Sequence, residues 1–409
     1  MNNNRLFSLK KNISRKKLLK KRLNTLLPEL MEKIGSDMWI IIGNENHLDP
    51  IMPTILPENT DLGRLSIMVF CFCEKKLERH IISRMFTESN DLYKASFDET
   101  HGDEWENLRK IVDRCNPENI LLNYSDSITL ADGLTYSNYG KIMKTLERYS
   151  HKIESSESLA LMWFNIQTKE ELELYKAIVK KTEEIIDNVF KNSAISEMTT
   201  EELENRLRQK AEEDGMTVWY NRVDFQRKGK NNLFNKGSVK QGDLIHCDFG
   251  IRYLGLSSDI QKLFYLLEED EDDIHGSFKN LLKQTNQLQI ILSNNLSKGL
   301  TGNEVLKNTI SEMKKKGKNG RIYSHPLGYY GHGSVPVIGK YNQQNEVPVE
   351  GDYMVYDSSF WAIELCMIGN IPEWDNQRVH IFVEDSAALI NNRVHFISER
   401  QHFFNILKR

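Results

Sequence analysis

Two apolar, strand-like segments separated by a short turn limit the folds open to this chain more than any other feature. Residues 243–250 and 258–267 flank a turn that residues 251–255 supply. We predict that the segments pair as an antiparallel hairpin, which makes Asp248 and Asp259 cross-strand neighbours. Two carboxylates at that separation repel each other unless a proton or a cation lies between them. The pattern therefore indicates either an ordinary hairpin with flanking aspartates or one side of a divalent-metal centre.

More residues of metal-binding type follow towards the end of the chain. His325 and His332 lie in a glycine-rich segment, so that one can bind a metal and the other can polarise a substrate. Glu364 lies inside the apolar run 361–368, where a buried carboxylate needs a partner or a metal, and Glu384 closes another strand-like run. Taken alone, each of these residues fits a structural role as well as it fits metal binding. Together with the two aspartates, they form a five-ligand set that matches a two-metal site.

The first third of the chain shows alternating helical and strand patterns. The spacing predicts a helix over residues 27–34, and apolar runs predict strands over 38–42, 65–72 and 120–122. Before them, residues 1–28 carry nine lysines or arginines and no acidic residue. Because this run lacks the apolar core of a secretory signal, we interpret it as a solvated, partly helical leader.

Helix-start signals divide the rest of the chain. A threonine is followed three residues later by a glutamate, which is the capping-box pattern, at Thr168, Thr199 and Thr301. A chain of 409 residues predicts two domains at ~100–200 residues per domain. We therefore predict a basic leader over residues 1–28, one domain over 29–160 and a second over 161–409.

Composition excludes several classes of protein. The 54 basic and 58 acidic residues leave a net charge of −4, which gives no basic field for nucleic acid. No stretch approaches the ~20 uncharged apolar residues that a membrane-spanning helix needs. The five cysteines are odd in number and widely spaced, which is typical of a reducing compartment without a disulfide framework. We expect a cytoplasmic protein that binds neither nucleic acid nor membrane.

The ordered ligand set resembles metallopeptidase family M24, which contains methionine aminopeptidase, aminopeptidase P, prolidase and creatinase. Residues 242–250 and 255–261 resemble the double-aspartate hairpin of that family, and the resemblance to its catalytic part runs from about Thr168 to the end of the chain. Residues 38–53 resemble the creatinase-type amino-terminal domain, which favours the aminopeptidase P and prolidase branch. The resemblance implies an α/β creatinase-like domain followed by an α+β "pita-bread" catalytic domain.

The resemblance also implies the roles of individual residues. The ligands of two divalent ions would be Asp248, Asp259, His325, Glu364 and Glu384. Manganese is the first expectation, with cobalt, zinc or iron as alternatives. The catalytic residues would be His332, which contacts the substrate, and Glu364, which moves a proton. The implied reaction is hydrolysis of the bond between an N-terminal residue and proline by a metal-bridging hydroxide, and the implied assembly is a homodimer.

Three departures from the family pattern leave alternatives open. A histidine usual in the loop before the first aspartate is absent from residues 224–243, where Asn231 and Asn232 stand in the corresponding region. Phe382 replaces an arginine two residues before the last ligand, and Leu365 replaces a proline. The alternatives are a catalytically weak or inactive homologue that binds a peptide or protein partner, and a creatinase-like hydrolase of non-peptide C–N bonds.

Overall fold

The computed structural model describes residues 14–57, 60–86 and 91–408. The chain divides into two compact units, Met1–Phe164 and Asn165–Arg409. Within the described ranges, no helix is both long enough and apolar enough to cross a bilayer.

The first unit is built on one six-stranded sheet. Its strands are β1 (Met38–Gly43), β2 (Ser66–Cys73), β3 (Lys76–Ile82), β4 (Lys94–Ala95), β5 (Ile120–Leu122) and β6 (Ile153–Ser155). Their order is β4-β3-β2-β1-β5-β6, with β1, β5 and β6 mutually parallel and β2 antiparallel to both of its neighbours. Every residue of β1 is buried, as its continuous apolar run requires of a central strand. The three predicted strands are confirmed.

The chain also forms several helices up to residue 165, of which Glu104–Cys115 packs on β2 and β3. They are α1 (Arg15–Lys21), α2 (Leu27–Ile34), α3 (Met52–Ile55), α4 (Glu104–Cys115), α5 (Tyr136–Thr145) and α6 (Glu157–Asn165), with a π-helical turn at Arg22–Leu26 and 3₁₀ turns at Glu99–His101, Thr129–Ala131 and Glu147–Lys152. The predicted helix over residues 27–34 is confirmed as α2, which ends at Gly35 in the left-handed conformation, with φ of 68°.

The basic segment before α2 differs from the solvated leader that we expected. Residues 1–13 lie outside the described residues, but α1 and the π-helical turn bury Leu18, Leu19, Leu23 and Leu26. These leucines form an apolar stripe that is buried, and the lysines on the other side of the segment are exposed, whereas Arg22 is buried. The described part of this segment therefore belongs to the packed first unit.

The cysteines of the first unit correct the expectation of a chain without a disulfide framework. Cys73, at the end of β2, is disulfide-bonded to Cys115, at the end of α4, with 5.2 Å between their Cα atoms. Cys71 lies close by, with its Sγ 3.4 Å from that of Cys115. Residues 42 positions apart in sequence meet because α4 packs across β2, which the spacing of the cysteines alone does not reveal.

The second unit contains a ten-stranded sheet. Its strands are β7 (Thr217–Gln226), β8 (Leu244–Tyr253), β9 (Leu256–Ser257), β10 (Ile260–Leu266), β11 (Gly320–Ile322), β12 (His325–Leu327), β13 (Ser359–Ile371), β14 (Gln377–Ile390), β15 (Arg393–Phe396) and β16 (Asn405–Leu407). The main path runs β11-β13-β14-β10-β8-β7, and β12 pairs with β13. Because β13 and β14 pair over thirteen successive residues, they form a rigid centre for the sheet.

Three of the four helices described in the second unit begin where the capping boxes predict, and the helix at Gly276–Asn295 begins without one. The four helices are α7 (Lys169–Lys191), α8 (Thr200–Glu213), α9 (Gly276–Asn295) and α10 (Gly302–Lys315), with 3₁₀ turns at Ile195–Glu197 and Pro372–Trp374. Both hydrogen bonds of the capping box are present at Thr168, Thr199 and Thr301. Helix α9 packs on β13, where Phe278, Leu282 and Leu288 join the main apolar core.

The register of the predicted hairpin is different from the one that we expected. Strands β8 and β10 are antiparallel as predicted, but the residue opposite Asp248 is Gln261. Asp259 lies just before β10, because the short strand β9 extends the turn of the hairpin. The two aspartates are therefore diagonal neighbours rather than directly opposed.

Candidate metal centre

Four neighbouring strands supply a row of polar side chains across one face of the second sheet. Gln261 on β10 lies opposite both Asp248 on β8 and Glu384 on β14, and Glu384 lies opposite Glu364 on β13. Residues directly opposite each other on paired strands have their side chains on the same face of the sheet. The sheet order thus brings together three of the predicted ligands that are distant in sequence.

Asp259 and His325 complete the predicted ligand set. The backbone N–H of Asp259 donates to Oγ of Ser386 at 3.1 Å, which fixes the residue beside β14. His325 lies opposite Ala362 on β13, so it shares a face with Glu364 two residues further along. The Nε2 atom of His325 lies 3.9 Å from Oδ2 of Asp259 and 4.0 Å from Oε1 of Glu384. Both distances suit a shared cation, since ligands ~2.0–2.2 Å from a metal lie up to about 4.4 Å apart.

The ligand atoms themselves show that the residues fit divalent ions. Oδ1 of Asp259, Nε2 of His325 and Oε1 of Glu384 are buried and have no hydrogen-bond partner among the described residues. The ring of His325 is oriented by its other nitrogen, Nδ1, which is 3.2 Å from the carbonyl oxygen of Pro326. Three sets of residues each place their ligand atoms within 4.8 Å of one another: Asp248, Asp259 and Glu384; His325, Glu364 and Glu384; and Asp259, His325 and His332.

Burial and mutual repulsion shift the pKa of every carboxyl group in this cluster upward. Burial is the largest cause, and it raises the pKa of Asp248 to about 6 and that of Glu364 to about 8. The pKa values of Asp259 and Glu384 lie well above the usual range, because burial is joined by the charges of the neighbouring carboxylates. Burial and the nearby His332 lower the pKa of His325 to about 3, which leaves a neutral imidazole. Such a cluster needs compensating positive charge, which metal ions supply.

His332 lies at the rim of the cluster and is exposed. Its ring centroid is 4.7 Å from that of His325 and 5.0 Å from that of Trp219, which it meets edge to face. A ring nitrogen of His332 lies within 4.8 Å of a carboxylate oxygen of Asp259 and of a ring nitrogen of His325, so His332 is placed where it can reach either a metal or a bound molecule.

Our sequence analysis missed Gln261 and His246, which lie among the ligands. Nε2 of Gln261 donates to Oε1 of Glu364 at 2.8 Å and to Oδ2 of Asp248 at 3.3 Å, so it holds the two carboxylates in place. His246 faces Asp224 on β7. The signal available for both was strand alternation: each lies two residues from a predicted ligand and therefore shares its face.

The residues that differ from the family pattern lie in two different places. Phe382 lies beside Asp248 and Glu364 in one pocket. Asn231 and Asn232 line a separate cavity of about 450 Å³, whose described lining residues include none of the five predicted ligands.

Comparison with known proteins agrees with this geometry. The sequence model of metallopeptidase family M24 matches residues 173–388, which contain every predicted ligand. No curated protein matches the chain. Among solved structures, X-Pro aminopeptidase from Thermotoga maritima MSB8 is similar with a TM-score of 0.67 and 16% identity, over 93% of this chain and 100% of that one. Xaa-Pro dipeptidase from Bacillus anthracis is similar with a TM-score of 0.64 and 15% identity, over 96% and 100%.

A third similar structure has a different description. The N-terminal domain of the FACT complex subunit SPT16 from Cicer arietinum (chickpea) gives a TM-score of 0.59 and 12% identity, over 94% of this chain and 96% of that one. At these identities the structural likeness shows the fold, which is the two-domain pita-bread architecture with a creatinase-like first domain. Since the family model covers more than half of its length, this chain belongs to metallopeptidase family M24.

Proposed function

We propose that this protein is a dinuclear metal-dependent aminopeptidase that hydrolyses the bond between an N-terminal residue and proline. The observation that carries the proposal is the convergence of buried ligand atoms from Asp259, His325 and Glu384, which lack hydrogen-bond partners within the described part of the chain. Membership of a metallopeptidase family supports peptide hydrolysis. The similarity to an X-Pro aminopeptidase and an Xaa-Pro dipeptidase supports a preference for proline.

The proposed mechanism assigns a task to each side chain. Asp248, Asp259, His325, Glu364 and Glu384 would hold two divalent ions. When bound, these ions would lower the pKa of a water and polarise the scissile carbonyl. Glu364, whose Oε1 is fixed by Gln261, is positioned to accept a proton and pass it to the leaving nitrogen. His332, exposed at the rim, contacts the substrate and stabilises negative charge on the carbonyl oxygen.

Further details of the proposal rest on the family resemblance. The ions are proposed to be manganese, the substrate a peptide with proline at its second position, and the assembly a homodimer. The ligand set of one imidazole and four carboxylates suits manganese, because carboxylate oxygens favour it, although cobalt, zinc and iron accept the same donors.

A pair of tripeptides tests the proposed function. Protein loaded with Mn²⁺ is incubated with Ala-Pro-Ala and Ala-Ala-Ala, and the products are identified by mass spectrometry. We expect release of alanine from Ala-Pro-Ala at least ~10-fold faster than from Ala-Ala-Ala, and no release from either by the Asp259→Asn variant. Equal turnover of both peptides would contradict the proline preference, and retained turnover in the variant would contradict the ligand assignment.

The second candidate function is binding without catalysis. Phe382 stands where the family pattern has an arginine, the loop histidine is absent, and one similar structure is a domain of a FACT complex subunit rather than a peptidase. Protein that binds two metal ions per chain but cleaves no peptide would favour this candidate. Hydrolysis of creatine alone would favour the third candidate, a creatinase-like enzyme.

A further inference from the structure

A small pocket next to the metal centre is walled mainly by aromatic rings. Its volume is about 210 Å³, and it opens on Asp248 and Glu364. The aromatic residues that line it are Tyr220, Phe234, Tyr323, Tyr341 and Phe382. Pockets that hold drug-sized ligands measure about 300–1,000 Å³, so this one has room for a single side chain.

Phe382 forms the flat side of the pocket. It lies two residues before Glu384 on β14 and therefore shares the face of that ligand. Its ring centroid is 5.4 Å from that of Phe234 and 5.2 Å from that of His246. Behind it, Phe382 packs with Ile368 in a small apolar cluster. An inserted ring that stacks on Phe382 would therefore exchange water for apolar contact.

Polar side chains also line the pocket, and among them His246 lies against the ring of Phe382. His246 is only 4% exposed, and its Nδ1 lies 3.5 Å from the carboxylate of Asp224, which also accepts a hydrogen bond from Nε of Arg222 at 2.8 Å. The other ring nitrogen, Nε2, is buried and makes no hydrogen bond of ordinary length and angle in residues 14–57, 60–86 and 91–408. Gln261 lies close to the ring, and its Oε1 is likewise buried without a hydrogen bond among these residues, so a hydroxyl group in the pocket can pair with both atoms. A buried polar atom that stays unpaired is costly, so a ligand that pairs with it is bound preferentially.

We propose that this pocket selects a tyrosine side chain of the peptide substrate, with its ring against Phe382 and its hydroxyl group on Nε2 of His246. A phenol hydroxyl both donates and accepts a hydrogen bond, so it pairs with Nε2 in either tautomer of the ring. A phenylalanine side chain would make the same stacking contact but would leave Nε2 unpaired. This inference rests on the proposed function, because it takes the molecule in the pocket to be a peptide bound at the metal centre.

Peptides that differ by one oxygen atom test the inference. The first pair is Tyr-Pro-Ala and Phe-Pro-Ala, and the second is Ala-Pro-Tyr and Ala-Pro-Phe, which place the ring on opposite sides of the cleaved bond. In Mn²⁺-loaded protein, we expect KM for the tyrosine member of one pair to be about 10-fold lower, with little change in kcat, since one hydrogen bond to a buried atom is gained.

Variants separate the hydrogen bond from packing. In His246→Phe the ratio of KM for the phenylalanine peptide to KM for the tyrosine peptide falls to about one, whatever the change in overall activity. The matched control is His380→Phe, which changes a buried histidine whose ring stacks on Phe382 at 5.9 Å but which does not line this pocket, and here the preference persists. If His246→Phe does not fold, His246→Leu serves the same purpose.

The outcomes distinguish this inference from the proposed function. If no peptide is cleaved, the proposed function fails, and calorimetric Kd values for the same uncleaved peptides still test the pocket. Equal KM or Kd values within both pairs would overturn the inference even in an active peptidase. A tyrosine preference that survives in the His246 variants would overturn it as well.

Discussion

Asp259 has the environment that is hardest to explain without a bound cation. It is 3% exposed, and burial together with the charges of Asp248 and Glu364 raises its pKa well above the usual range. An isolated carboxylate in such a place loses its hydration without gaining a counter-charge. At the scale of single residues, the metal-free fold is therefore destabilised by the same groups that would bind metal.

This environment predicts opposite effects of Asp259→Asn in two conditions. In EDTA the variant unfolds at a higher urea concentration than the wild type, because asparagine removes a buried carboxyl group whose ionisation the fold opposes. With Mn²⁺ at about 100 times its Kd, the wild type gains about 2.7 kcal/mol in the free energy of unfolding, and the variant gains much less. The measurement is urea unfolding with and without Mn²⁺.

Asp243→Asn is the matched control for that experiment. Asp243 is also fully buried, but its carboxylate accepts a hydrogen bond from Nε of Arg227 at 2.6 Å and lies outside the ligand set. This variant should keep the whole gain in stability from Mn²⁺, because Asp243 is not one of the proposed ligands. An equal gain in the Asp259 variant would show that the ion binds elsewhere.

An ion pair joins two elements of the first unit. Glu78 on β3 accepts hydrogen bonds from the guanidinium group of Arg114 on α4, one of them at 3.2 Å, and from Nε2 of His80 at 2.9 Å. The hydrogen bonds from Arg114 are the main cause that lowers the pKa of Glu78 from 4.5 to about 2. The ionised carboxylate of Glu78 is thus the protonation state that binds Arg114 and joins β3 to α4.

The lowered pKa predicts how acid weakens the link. Because the pKa is lower in the folded state, the pair stabilises the protein fully above pH 4.5, and its contribution is lost as the pH falls towards 2. Glu78→Gln should therefore be less stable than the wild type at pH 7, by about 1 kcal/mol or less for a partly exposed pair, and the difference should shrink below pH 4. Urea midpoints of both proteins at pH 7, 4 and 3 measure it; a constant difference would contradict the assignment.

Local elements were predictable from the sequence because their signals are local. Each capping box lies within four residues, and β1 is one continuous apolar run, so neither depends on distant parts of the chain. The register between β8 and β10 was not predictable to one residue. It depends on the short strand β9, which moves Asp259 out of the position opposite Asp248 and leaves Gln261 there.

The whole sheet, by contrast, is what brings the predicted ligands together. Its order β13-β14-β10-β8 places strands side by side that are far apart in sequence, and spacing along the chain carries no information about that order. The five candidate ligands were identified from their residue types and surroundings in the sequence, and the family resemblance supplied their roles. The family resemblance could not predict the aromatic pocket. Phe382 and His246 are not in the ligand pattern, and their rings come together only in the folded sheet.

Anomalous diffraction from crystals of the Mn²⁺-loaded protein tests the central claim most directly. We predict two manganese peaks within the cluster, one within bonding distance of Asp248 and Asp259 and the other near His325, with Glu384 between them. Loss of both peaks in crystals of Asp259→Asn would support the same assignment. A map with no peak among these side chains, or with manganese bound only at other carboxylates, would contradict it.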